Sequence, residues 1–125
     1  MKILLILLLT LCLYADHDGK KEHHLSKDLS YLELTSEQKE VAKSIIKQFR
    51  VDIKAFREFK GKMEDQKEAL LTHEVLNEED LQKINQAISQ KSSAIESHFL
   101  LQMHNLLTPE QRQKFAHNLE EWEVE

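Results

Sequence analysis

The chain has 125 residues, of which 31% are charged and 41% hydrophobic, with a formal net charge of −5. Two glycines and one proline are too few turn residues for a sheet protein and suit long helices in a single domain. The acidic balance gives no general bias toward nucleic acid, and none is expected as a partner.

Residues 1–15 read as a cleaved secretory signal peptide. Lys2 precedes an apolar run from Ile3 to Leu13, and Ala15 is an acceptable small residue before a cut at Asp16. A run of about 12 apolar residues falls short of the ~20 that span a bilayer. Cys12, the only cysteine, would leave with the leader, so no thiol chemistry is expected in the mature protein. Residues 16–34 are polar and not strongly periodic, and they carry His17, His23 and His24. A flexible N-terminal arm is expected there, with Leu29, Tyr31 and Leu32 near its end as candidates to dock on the bundle.

The helical domain is expected over 35–125. It opens at Leu34-Thr35-Ser36-Glu37-Gln38, where the Thr35 hydroxyl and the Gln38 side chain can form a capping box. Ala42, Ile46, Phe49, Ile53, Phe56, Met63 and Leu70, with Lys60 and Lys67 filling the seam positions between the last three, follow steps of four and three, which predicts a helix to the region of Leu71. Gly61 is its weak point, a candidate bend costing ~1 kcal/mol relative to Ala. After a short connection, Asn77 caps a second helix whose first turn is acidic. Leu76 is placed to staple onto Leu81. Leu81, Ile84, Ile88, Ile95, Phe99, Met103 and Leu106 lie on one face of this helix. Two long helices joined by a short loop make an antiparallel hairpin.

A near copy of the first start signal, Leu107-Thr108-Pro109-Glu110-Gln111, opens a third helix, with Pro109 at the first helical position. It presents Phe115, Leu119 and Trp122 and folds back as a lid. The fold class is therefore all-α, a long hairpin with a short third helix. Its core is thin enough that dimerisation is expected to complete it.

The doubled Leu-Thr-x-x-Gln pentad resembles the signature of the LTXXQ family of periplasmic helical proteins, over roughly Leu34 to Leu119. That family includes the envelope-stress chaperones and adaptors Spy and CpxP and the metal-resistance proteins ZraP and CnrX. The resemblance implies a periplasmic protein and leaves two functional branches open.

The residues bear on both branches. Lys39, Lys43, Lys47, Arg50, Lys54 and Arg57 fall along one side of the first helix. Ser36 to Lys62 holds eight basic residues against four acidic ones. In the Spy and CpxP branch a basic concave surface of a dimer contacts unfolded clients or a sensor kinase, and the resemblance implies the same use for this stripe. A solvated face neutralised by neighbouring glutamates is the plainer alternative.

The histidines, seven in all, suit late first-row metals. In the CnrX branch, metal is held by arm histidines, a Glu on the first helix and an H-x-x-x-M pair before the second pentad. The corresponding candidates here are His23, His24, His98, Met103 and His104, with Glu37 or Glu40 for the carboxylate and Zn, Ni, Co or Cu as the ion. The fit is imperfect. Phe99 occupies the family's histidine position, and His98 and Met103 are about 140° apart around a helix.

No phosphate loop, nucleophile elbow or H-E-x-x-H is present, and no catalysis is expected. The expected role is envelope-stress protection by binding misfolded envelope proteins or a membrane sensor. The alternative is heavy-metal sensing or resistance.

Overall fold

The computed structural model describes residues 29–125. The segments expected as signal peptide and, for the most part, as arm, including His17, His23 and His24, lie outside the described residues. The chain divides into two units between Leu34 and Thr35. In the first, residues 29–34 form a 3-10 turn over Ser30–Leu32, with Leu29 and Leu32 buried. Glu33 closes it in the left-handed region at φ 51°.

The second unit, 35–125, is all-helical: α1 (Ser36–Leu71), α2 (Glu78–Leu106) and α3 (Pro109–Ala116), followed by a 3-10 turn at Leu119–Trp122. α1 and α2 pack together as the expected hairpin. α1 starts where its capping box predicts: Thr35 Oγ1 accepts from the Gln38 N–H at 3.1 Å, and Gln38 Oε1 accepts from the Thr35 N–H at 3.0 Å. It runs unbroken through Gly61. α2 begins at Asn77, whose side-chain oxygen accepts from the N–H groups of Glu79 and Asp80 at 3.0 and 3.4 Å. Glu78, Glu79 and Asp80 sit at the positive end of the α2 dipole.

The core is concentrated at the end of the hairpin that carries the two start signals. α1 buries Ala42, Ile45, Ile46, Phe49 and Phe56; α2 buries Ile84, Phe99 and Met103. Phe49 and Phe99 stack with ring centroids 4.1 Å apart, and Trp122 lies 5.0 Å from Phe99. Phe115 closes the cluster edge-on to Phe99 at 6.4 Å. Each ring buries a large apolar area and adds pairwise ring attraction, so this cluster dominates the packing energy. The Trp122 N–H is buried without an acceptor among the described residues. The ring contacts more than offset a cost of about 1–3 kcal/mol. Toward the far end, Phe59, Met63, Leu70, Leu81 and Ile88 are only half-buried.

Three expectations need correction. Ile53 is half-buried rather than central, while Ile45, which the heptad reading left off the stripe, is buried one turn before Phe49. The third helix ends at Ala116, so Phe115 and Trp122 do not share a helix, and Leu119 is exposed. The cause is local: Asn118 turns its amide back onto the Lys114 carbonyl at 3.3 Å, offering the backbone an alternative to another helical turn. Leu76 remains exposed at the start of α2 and gives little to a staple on Leu81.

Candidate functional site: the joined start signals and the basic side of α1

The two pentads meet. With α1 and α2 antiparallel and α3 turning back, the starts of α1 and α3 lie at the same end of the hairpin. Gln38 Nε2 donates to Gln111 Oε1 at 2.9 Å, and Gln111 Nε2 donates to Gln38 Oε1 at 3.1 Å. Gln38 Nε2 also donates to the Leu106 carbonyl at 3.2 Å, tying the end of α2 into the joint. Each glutamine oxygen simultaneously accepts from its own N-cap threonine, Thr35 or Thr108, at 3.0 Å. The residues that start the two helices therefore also lock them together. Of the pentad leucines, Leu107 is buried and Leu34 half-buried. Arg112 reinforces the corner by donating from Nε to the His104 carbonyl at 2.9 Å. This arrangement leaves the cation-bearing side of α1 exposed.

That surface carries the cations. Lys39, Lys43, Lys47, Arg50, Lys54 and Arg57 are all exposed along one side of α1. Steps of four and three spread them over about 27 Å of helix. Among the described residues only Lys43 of the six is ion-paired, to Glu40 at 3.2 Å, and both side chains are well exposed. The plainer alternative, a stripe neutralised by neighbouring glutamates, is thus realised at one position. Val51 is 55% exposed. It stands four residues from Lys47 and three from Lys54, so it adjoins the stripe on the helix surface. Sequence reading passed over Val51 because it lies off the apolar stripe; that displacement was itself the signal.

The metal candidates do not gather. Met103 is fully buried in the core behind Phe99, while His98 and His104 are both exposed. On one regular helix His98 lies roughly 120–140° around the axis from each of the other two. Phe99, at the family's histidine position, is a core ring in the aromatic cluster. Glu40 is engaged with Lys43. Among the described residues no group of three His, Cys, Asp or Glu side chains could hold a metal ion. His23 and His24 fall outside the described residues.

Among the described helices, none is long and apolar enough to cross a membrane. A family model described as "LTXXQ motif family protein" matches residues 20–119. No curated protein and no solved structure matches the chain.

Proposed function

This chain belongs to the LTXXQ motif family, and on that footing we propose that it binds unfolded or acidic polypeptide on the basic side of α1, without catalysis. Members of the family are typically periplasmic, and membership supports a Spy- and CpxP-like protein in general. The observation that carries the finer reading is the row of six exposed cations, five of them without an ion-pair partner among the described residues, with exposed Val51 alongside.

Unfolded envelope proteins present apolar segments and carboxylates together. A surface that offers cations for capture and an adjoining apolar contact suits them. Long-range attraction speeds encounter, and weak, dispersed contacts permit release. A membrane sensor with an acidic periplasmic segment is recognised by the same chemistry.

The test is suppression of aggregation of a reduced, denatured client followed by light scattering. Neutralising Lys47, Arg50 and Lys54 to Gln keeps good helix formers in α1 and should abolish most of the suppression, as should high salt. Undiminished suppression by the triple variant would place client binding elsewhere.

A further inference from the structure

The hairpin tip opposite the joined motifs is apolar and open. Val75 is 82% exposed, Leu71 65% and Leu76 44%, all within or beside the loop between α1 and α2. Leu70 and Leu81, just inside the tip, are half-buried. Large aliphatic side chains gathered at one tip form a patch of the kind that marks an interaction site. Its rim is acidic. Residues 64–80 contain Glu64, Asp65, Glu68, Glu74 and the run Glu78-Glu79-Asp80 against a single cation, Lys67. All seven acidic residues are exposed. Among the described residues only Glu79 of the seven is ion-paired, to Lys83 at 3.5 Å.

Glu78, Glu79 and Asp80 have a local use at the positive end of the α2 dipole. The carboxylates on the α1 side have none. The last turn of α1 holds Glu68 and no cation, so a negative charge stands where the helix dipole is already negative and a cation would be favoured. Glu74 follows just beyond the helix end. A local rule broken beside exposed aliphatic side chains points to a partner that brings the missing positive charge.

We propose that this tip docks a cationic amphipathic polypeptide segment, one in which Lys or Arg alternates with aliphatic or aromatic side chains. Charge complementarity sets the sign of the partner, and the apolar seat sets its amphipathic character. The carboxylates are spread over the end of α1, the loop and the start of α2, and among the described residues no three of them form a group that could hold a metal ion. A compact cation therefore does not match them, whereas several separate cations on one chain do. The methylene stems of those residues can lie over Leu71, Val75 and Leu76 while their charged heads reach the rim. Leu71 lies about 20 Å beyond Arg57 along α1. The tip and the basic side of α1 can thus be occupied at once by partners of opposite charge, and the inference does not rest on the proposed function.

Fluorescence anisotropy of a short dye-labelled peptide of Lys and Leu at helical spacing, titrated with the protein, tests this. Binding should be saturable and should weaken as salt rises. A peptide with Ser in place of Leu should lose most of the affinity. Leu71→Gln, Val75→Ser and Leu76→Ser together remove the apolar seat; Glu64→Gln, Glu68→Gln and Glu74→Gln remove rim charge without touching the α2 cap. Each set should weaken binding by ~10-fold or more, with helical circular dichroism unchanged. Glu120→Gln, Glu121→Gln and Glu123→Gln make the same change in net charge at the C-terminal end and should leave binding unchanged. Absence of saturable binding, full affinity in the apolar set, or an equal loss from the C-terminal set would overturn the proposal. So would tip substitutions that alter sedimentation while leaving peptide binding intact, since the tip would then be covered by another copy of the chain.

Discussion

Removing the Gln38 side chain should cost more than removing any single helix cap in this protein. It takes part in four hydrogen bonds at once: one with the Thr35 N–H, two with the Gln111 amide and one with the Leu106 carbonyl. At roughly 0.5–1.5 kcal/mol net for each, reduced toward the low end by partial exposure, Gln38→Ala should destabilise by about 2–3 kcal/mol. In a domain of this size that is a fall in melting temperature of about 10 °C or more. Thr35→Ala, which removes only a cap, should cost about 1 kcal/mol. Gln38→Glu separates the two roles: its carboxylate still accepts from the Thr35 N–H but cannot donate to Gln111 or Leu106. It should fall between the other two. In a double-mutant cycle Gln38→Ala with Gln111→Ala should show a coupling of about 1–2 kcal/mol, because the amide pair is lost once, not twice. Thermal and urea unfolding by circular dichroism measure all of these. The joint as described is refuted if Gln38→Ala costs no more than Thr35→Ala, or if the two glutamine variants are simply additive.

Other perturbations test the rest of the fold. Gly61→Ala should raise stability by up to about 1 kcal/mol, since the position is mid-helix and an added Cβ would meet nothing within 4 Å; a lower melting temperature would reveal a hidden constraint there. Phe99→Ala should cost about 3–5 kcal/mol, while Ile53→Ala, at a half-buried site, should cost clearly less; equal losses would misplace the core. The single tryptophan, Trp122, is buried among aromatic rings, so its emission should be blue-shifted and should move red in one step with loss of helicity. An early red shift would mean that the C-terminal turn detaches before the hairpin melts. Thr108→Ala should cost about 1 kcal/mol through the cap of α3, read from the same melts.

Helix starts were legible because they are local. A threonine followed three residues later by glutamine, or an asparagine before three acidic residues, declares a cap through bonds to its own neighbours. The hairpin was legible because periodicity and a short loop leave long helices little else to do. What was not legible depends on partners far away in the chain. Nothing within either pentad states that Gln38 and Gln111 bond each other; that follows only once α3 turns back beside α1. The third helix was overextended because Leu119 and Trp122 keep a helical spacing from Phe115, while the bond by which Asn118 turns back onto the Lys114 carbonyl shows only in the folded chain. Ile53 was expected in the core and Ile45 was not, because a wide helix face allows several residues to look central and only packing against the neighbouring helix chooses. On the functional side the basic stripe was visible as residue spacing, whereas the lack of an ion-pair partner among the described residues for five of its six cations required the folded chain.

The most direct test of the central claim is calorimetric titration with a permanently unfolded acidic polypeptide, such as reduced, carboxymethylated α-lactalbumin. The protein and its Lys47→Gln, Arg50→Gln, Lys54→Gln variant are compared at low and physiological salt. The account predicts saturable binding by the wild type that weakens with salt, and binding at least about tenfold weaker in the neutralised variant, as expected when captured carboxylates lose their cations. Equal affinities for the two proteins would contradict it and remove the basic side of α1 from the function.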